Sequence, residues 1–216
     1  LNATIVPVTP LVQNCSLLWD EAGRAALVDP GGDVPKLQEA LKKRNLSLQK
    51  IFLTHGHMDH AGGAAALREI YGVPVEGPQR EDKFWLDAIA EHGPRYGIAD
   101  GRSVTPDRWL EDGEEVSFGS ITLGVRHTPG HTPGHVIFFN QEAKLAIVGD
   151  VLFRGAIGRW DFPRGDFKTL ISSITQKLWP LGDDMTFVPG HGPRSTFGTE
   201  RAINPFVSDS ALARAH

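Results

Sequence analysis

The apolar run Ile51, Phe52 and Leu53 ends in Thr54-His55-Gly56-His57-Met58-Asp59-His60-Ala61-Gly62-Gly63, and this stretch constrains the chain more than any other. A β-branched apolar approach, a polar segment containing glycine and the alanine-rich Ala61 to Tyr71 predict a strand, a tight loop and a helix. His55, His57, Asp59 and His60 therefore sit at the C-terminal end of a strand. Imidazole and carboxylate suit zinc, iron or manganese. Alternating spacing on an extended segment lets His55 and His57 point to one side, which leaves Asp59 and His60 to face a second position. One or two histidines near a strand end are ordinary polar loop residues; four ligand-type side chains at this density, with partners downstream, are not.

Three more strand ends carry residues of the same type. The β pattern resumes at Val116, passes through Ile121-Thr122-Leu123 and ends at His127-Thr128-Pro129-Gly130-His131-Thr132-Pro133-Gly134-His135, ahead of the apolar strand Val136 to Phe139. Two Pro-Gly pairs fix tight turns there, so one histidine can be presented rigidly, and spacing leaves open which one. Lys144 to Val148 is a buried-strand pattern that ends in Gly149-Asp150. Asp166 is placed to cap a helix in which Phe167, Leu170, Ile171, Ile174 and Leu178 recur at helical spacing, and Met185 to Val188 then runs into Pro189-Gly190-His191.

The remaining segments supply scaffold. Residues 4–8, 14–19 and 25–28 read as an antiparallel meander, closed by the turn Asp29-Pro30-Gly31-Gly32-Asp33. Asp33 is expected to cap a helix with Leu37, Ala40 and Leu41 on its buried stripe and Lys36, Lys42, Lys43 and Arg44 in solvent. Asp29 either caps its own turn or orients a metal ligand on the neighbouring strand. Ala64 to Tyr71 forms a helix stopped by Gly72, and Val73 to Val75 is extended again. Residues 77–112 differ in composition: Phe84, Trp85, Tyr96 and Trp109 stand among charges, broken by Gly93, Pro94, Gly97 and Gly101. They read as a helix followed by a loop that either walls a cleft or covers the core, with covering the expected role of Trp85 and Trp109.

Composition narrows the class. With 216 residues and 40% hydrophobic content the chain can build a sizeable core, and one compact mixed α/β domain with helices outside its sheets is expected. The 22 basic and 26 acidic residues are scattered, net −4, without the basic blocks that track nucleic acid. No apolar run approaches the roughly 20 residues that cross a bilayer, and the N-terminus lacks a basic segment followed by an apolar core, so a cytoplasmic location is expected. Cys15 is the single cysteine, which excludes an intrachain disulfide and reads as a small buried thiol.

Taken together, Thr54-His55-Gly56-His57-Met58-Asp59-His60, the Thr128 to His135 loop, Gly149-Asp150 and Pro189-Gly190-His191-Gly192 resemble the metallo-β-lactamase superfamily, in family order and across most of the chain. Within it the sequence is most similar to the glyoxalase II (hydroxyacylglutathione hydrolase) group, especially its short single-domain YcbL-type members, including the flanks Val28-Asp29-Pro30-Gly31-Gly32 and Asp161-Phe162-Pro163-Arg164-Gly165-Asp166. The resemblance implies a four-layer αββα sandwich and a single domain over 1–216 without the C-terminal helical domain of longer members. It implies two divalent ions, zinc, iron or manganese, with His55, His57 and His131 on one, Asp59, His60 and His191 on the other, and Asp150 bridging. His131 is preferred because it fills the family's Thr-Pro-Gly-His slot; His135 becomes a supporting residue and His127 a strand-end residue.

The activity implied is hydrolysis of a small-molecule thioester, S-D-lactoylglutathione, to D-lactate and glutathione, a step of methylglyoxal detoxification, with Asp59 and Asp150 as catalytic carboxylates and a hydroxide supplied by the metal pair. Arg159, in Gly158-Arg159, stands where longer members place a lysine that touches glutathione; the same segment resembles one in persulfide dioxygenases, where it braces a loop. The tyrosine that follows the last histidine ligand in longer members is replaced here by Gly192-Pro193-Arg194. Competing readings on the same fold are a persulfide dioxygenase holding one iron through His55, His131 and Asp150, a lactone or β-lactam hydrolase, and a non-catalytic metal-binding module.

Overall fold

The computed structural model describes residues 1–214. In chain order the first half comprises β1 (Asn2–Val8), β2 (Gln13–Trp19), β3 (Arg24–Val28), α1 (Val34–Lys43), β4 (Ser47–Phe52), α2 (Met58–Ala61), α3 (Ala64–Tyr71), β5 (Val75–Glu76), α4 (Lys83–Asp87) and α5 (Ile89–His92). The second half comprises β6 (Glu115–Phe118), β7 (Ile121–His127), β8 (Val136–Asn140), β9 (Leu145–Gly149), β10 (Leu152–Phe153), β11 (Ala156–Ile157), α6 (Phe167–Ser173), β12 (Thr186–Pro189), β13 (Ser195–Thr196), α7 (Phe197–Ile203) and α8 (Asp209–Arg214). One sheet runs β1-β2-β3-β4-β5, the other β13-β12-β9-β8-β7-β6, and β10-β11 is a separate hairpin. The expected meander is the antiparallel part of the first sheet, β1 to β3. From β3 to β5 the pairing is parallel, because α1 and then α3 carry the chain back between strands.

Side-chain alternation along the strands shows how the layers stack. Leu27 and Ile51 face a core shared with Leu37 and Leu41 of α1 and Leu67 of α3. Their neighbours Ala26, Val28 and Phe52 point the other way, into a core shared with Val125, Phe138, Ile147 and Val188 of the second sheet. In that sheet Ile137, Val148 and Phe187 face outward again, onto Leu170 and Phe197 of α6 and α7. Three apolar interfaces between helix, sheet, sheet and helix make a four-layer αββα sandwich, the architecture that period-two strands with two buried faces require. Phe52 anchors the middle layer, with ring centroids 5.3 Å from Phe138 and 6.2 Å from Phe118.

The helix boundaries follow local chemistry, with one correction. Asp166 is extended and its carboxylate accepts from Thr169 N (2.7 Å), capping α6 as expected, and Gly72 stops α3 at a left-handed φ of 65°. Asp33 does not cap α1. Its own φ of 48° turns the side chain away from the helix, and its carboxylate accepts from Thr9 N (2.9 Å) instead. The 77–112 segment folds as two short helices broken at Ala88 rather than one helix, and Gly93 and Pro94 end the second in a tighter 3-10 turn over Gly93–Tyr96.

Candidate metal centre

Four chain segments deliver ligand-type side chains to one edge of the sandwich: the loop after β4, the loop after β7, and the ends of β9 and β12. His55 sits in the bend after β4 and His57 on extended backbone just ahead of α2, while Asp59 and His60 lie on the single helical turn of α2, so the two pairs face different positions. His55 Nε2 and His131 Nε2 approach His57 Nδ1 at 3.1 and 3.2 Å. Beside them, His191 Nε2 and His60 Nε2 lie 3.1 and 3.7 Å from Asp59 Oδ2. Asp150 stands between the two groups, with Oδ1 3.4 Å from His60 Nε2 and Oδ2 3.7 Å from His131 Nε2 and 3.8 Å from His191 Nε2.

Four of the five imidazoles are oriented from behind. Thr54 Oγ1 donates to Asp29 Oδ2 (2.6 Å), which leaves its lone pair to accept from His55 Nδ1 (3.0 Å). His60 Nδ1 donates to the same Asp29 oxygen (2.9 Å), His131 Nδ1 to the Arg159 carbonyl (2.8 Å) and His191 Nδ1 to the Leu11 carbonyl (3.1 Å). These bonds put the proton on Nδ1 and aim an Nε2 lone pair into the site, the arrangement that metal-binding histidines require. His57 is reversed: Nδ1 faces His55 and His131, and its ring sits edge-on to Trp85 and Phe162 at 4.6 and 4.9 Å. Asp29 thus orients the His60 ring directly and the His55 ring through Thr54, beyond any role in its own turn.

Of His127, His131 and His135, the structure brings only His131 to the cluster through a free ring nitrogen. His135 Nε2 accepts from Asp150 N (3.1 Å), so it fixes the backbone that carries Asp150; His127 Nε2 donates to the Pro133 carbonyl (2.8 Å). Two glycines leave the necessary space. Gly149 adopts φ 50°, and a Cβ there would meet His135 Nε2 at 2.6 Å; a Cβ on Gly190 would fall 2.0 Å from Asp150 Oδ1.

The donor set fits two cations. His60 Nε2 and Asp150 Oδ1 are buried without a hydrogen-bond partner among the described residues, an arrangement that is costly unless something electrophilic sits between them. Metal–ligand bonds of about 2.0–2.2 Å place neighbouring donors roughly 3–3.5 Å apart, close to the separations found here. His55-His57-His131 and Asp59-His60-His191 are each compact enough to hold an ion. A third grouping, Asp29 with His55 and His60, is already satisfied by the Thr54 bridge and its own hydrogen bonds.

Electrostatics keep His55, His57, His131, Asp59 and Asp150 in their deprotonated, metal-binding forms. Burial, reinforced by neighbouring imidazoles, holds His55 well below the ordinary histidine range and His57 at about 3, and burial lowers His131. Burial pulls Asp150 upward but is outweighed by His60, His131 and His191, which leave it well below the carboxylate range; His60 and His191 likewise outweigh burial at Asp59. His60 moves the other way, since burial is overcome by Asp150 and Asp59. A cation would take the place of that proton.

Residues 8–191 match the model of the metallo-β-lactamase superfamily. The chain belongs to that superfamily. Hydroxyacylglutathione hydrolase GloC of Haemophilus influenzae is 44% identical to this metallo-β-lactamase-family chain over 212 residues, 98% of this chain and 100% of the relative. Among solved structures, BLEG-1 B3 metallo-β-lactamase superposes with a TM-score of 0.88 at 34% identity, covering 95% of this chain and 99% of that one. TTHA1623, solved in a di-iron-bound form, gives a TM-score of 0.85 at 36% identity, covering 94% and 99%. The αββα fold, the capacity for two metals and membership among metallohydrolases of this superfamily are therefore established for the chain.

The structure also supplies what the sequence did not. A cavity of about 600 Å³ opens onto the cluster, and its walls include Trp85, His92, Arg95 and Tyr96 from the 77–112 segment. Trp85 is therefore a cavity wall rather than a cover; Trp109 does pack on the outer core. The Arg159 carbonyl accepts from His131 Nδ1 and braces that ring, and its side chain lines the cavity. Asp82, one of the charges scattered through the 77–112 segment, was not singled out by the sequence. It is fully buried, and it accepts from Gly56 N (2.9 Å), Thr132 Oγ1 (2.7 Å) and Gly134 N (2.5 Å), tying both histidine-bearing loops to one carboxylate.

Proposed function

We propose that this chain is a glyoxalase II-type thioester hydrolase, cleaving S-D-lactoylglutathione to D-lactate and glutathione. In this reading His55, His57 and His131 hold one divalent ion, Asp59, His60 and His191 the second, and Asp150 bridges them within a single domain. The observation that carries it is a match along the whole chain to a hydroxyacylglutathione hydrolase, in a protein whose seven donor residues all converge beside one cavity. A bound pair of divalent ions supplies hydroxide at neutral pH and an electrophile for the carbonyl oxygen. Asp59, whose Oδ2 lies 3.1 Å from His191 Nε2 at the cluster, would accept a hydrogen bond from the attacking nucleophile and hold it in line. The departing thiolate needs no strong acid, because thiols ionise near pH 8.5. Trp85 and Phe162 keep the inner cavity apolar, which strengthens every charge interaction made there.

A persulfide dioxygenase would need only His55, His131 and Asp150 around one iron. The convergence of His57, Asp59, His60 and His191 on the same space favours two ions, and with them hydrolysis. A lactone or β-lactam hydrolase would share the metal site and differ in the cavity walls, and a non-catalytic module would not call for a complete donor set. Among the described residues no helix is long and apolar enough to cross a membrane; the cytoplasmic location expected from the sequence belongs to the same proposal.

The test is turnover of S-D-lactoylglutathione by protein whose metals have been counted, beside a chelated sample. Chelator-sensitive hydrolysis at two metals per chain is expected. Full metal content without turnover would reject this substrate and move attention to oxygen uptake with glutathione persulfide, then to lactones.

A further inference from the structure

Six of the seven donor residues are buried, so the packing around them helps to fix their rings and carboxylates. His191 is the exception, with its side chain 30% exposed at the open side of the cluster. Its place depends on hydrogen bonds and on the backbone that carries it. Both kinds of tie come from one stretch, the turn after β1 and the start of β2. The Leu11 carbonyl accepts from His191 Nδ1 (3.1 Å), Gln13 forms an antiparallel bridge with His191, and Asn14 N donates to the Gly190 carbonyl (2.7 Å). The Asn14 side chain then spans the loop. Its Nδ2 donates to the Pro189 carbonyl on one side of His191 and to the Gly192 carbonyl on the other, at 3.0 and 2.9 Å. Because β2 belongs to the first sheet and β12 to the second, the His191 loop is closed against the opposite layer of the sandwich. Gln13, fully buried, sets its amide nitrogen 3.4 Å from His60 Nδ1, so one short stretch reaches both histidines of the second donor group.

The turn that delivers these residues is strained. Thr9 and Val12, both β-branched, adopt left-handed φ of 64° and 55°, and Asp33 secures the turn by accepting from Thr9 N (2.9 Å). Val12 is 61% exposed, so burial of its side chain does not account for the conformation. What the turn accomplishes is to aim the Leu11 carbonyl at His191 and to bring Asn14 into register with residues 189–192. The first donor group has no such tie. Its loops are joined through Asp82, and among the described residues nothing in the 9–14 stretch hydrogen-bonds to them.

We infer that Asn14 is a positioning residue for the second ion alone: by clamping the carbonyls on either side of His191 it sets the affinity of the Asp59, His60 and His191 group, independently of the His55, His57 and His131 group. This rests on the proposed assignment of those three donors to one ion, and not on the substrate. Without the clamp, Asp59 and His60 stay on α2 and His60 keeps its bond to Asp29, so the second ion loses one well-placed donor rather than its whole site. Ordering the His191 loop then falls to metal binding itself, which weakens the affinity.

Titration of metal-free protein with Co(II) reads the two sites separately, by equivalents bound and by the hyperfine-shifted imidazole N–H protons in the NMR spectrum, which His191→Ala assigns. Native protein is expected to bind two equivalents and His191→Ala one. Asn14→Ala should bind the first equivalent as the native protein does and the second about tenfold to a hundredfold more weakly, with the His60 and His191 protons appearing only at excess Co(II). Asn14→Ser keeps a single donor for one of the two carbonyls and should fall between. A general weakening of the fold would lower both steps, so equal loss at both steps, or native affinity at both in the two variants, would overturn the role of Asn14. Two equivalents on His191→Ala would remove the donor assignment, and the role of Asn14 with it. Failure to hydrolyse S-D-lactoylglutathione would reject that substrate and leave each of these readings as it stands.

Discussion

At the scale of single residues the centre depends on lone pairs aimed by hydrogen bonds and on space left by missing side chains. Asp150 lies between both donor groups, so Asp150→Ala should lower metal content and activity together, and His57→Ala should do the same; metal analysis beside activity measures this. A fully metallated Asp150→Ala protein would remove the bridging role. His135→Ala deletes only the acceptor for Asp150 N and should leave most of the metal in place. Gly190→Ala is a sharper substitution than its size suggests. Its methyl group would fall 2.0 Å from Asp150 Oδ1, so loss of metal comparable to Asp150→Ala is expected from the same assay.

At the scale of elements, the 77–112 segment is tied to the centre through Asp82. Its carboxylate accepts from the loop after β4 and the loop after β7, and the helix that follows it carries Trp85. Burial raises the Asp82 carboxyl to about 6 against the pull of those three donors, so the hydrogen bonds it accepts must offset a real desolvation cost. Removing the carboxylate strands buried N–H and O–H donors at roughly 1–3 kcal/mol each. Asp82→Ala should therefore lower the melting temperature by several degrees and hasten metal loss to a chelator, both measurable on one sample. A variant with native melting and native chelation kinetics would make the segment a passive cover.

For the whole molecule, the sandwich holds four strand-end loops at one edge, so metal binding and folding share free energy. Metal held a thousandfold above its dissociation constant stabilises the fold by about 4 kcal/mol per site. Chelation should lower the melting temperature of the native protein clearly, and that of Asp150→Ala much less, in a thermal melt with and without chelator. The middle layer is the other determinant of stability. Phe52 is fully buried between the sheets, and Phe52→Ala should cost about 3–5 kcal/mol in a denaturant titration, independent of metal.

The strand ends and the ligand-type residues they carry were legible in the order of amino acids alone. Short-range features such as the run Ile51 to Leu53, the Pro-Gly turns and the Gly149-Asp150 and Pro189-Gly190-His191 pairs are set by neighbours along the chain, so periodicity and turn chemistry revealed them, and resemblance ordered them into two donor groups. Among His127, His131 and His135, spacing left the inward one open and resemblance pointed to His131; packing supplies the reason, since it depends on who binds the other ring nitrogen: Arg159 for His131, Asp150 for His135, Pro133 for His127. Packing also settled that Asp33 serves Thr9 rather than α1, that Asp82 is a buried tie rather than surface charge, and that Arg95 and Tyr96 share a cavity with Arg159. Most of these pair residues far apart in sequence, and such contacts exist only once the two sheets have packed; before that, a charged residue in a polar segment looks the same whether it ends in solvent or at the centre of the site.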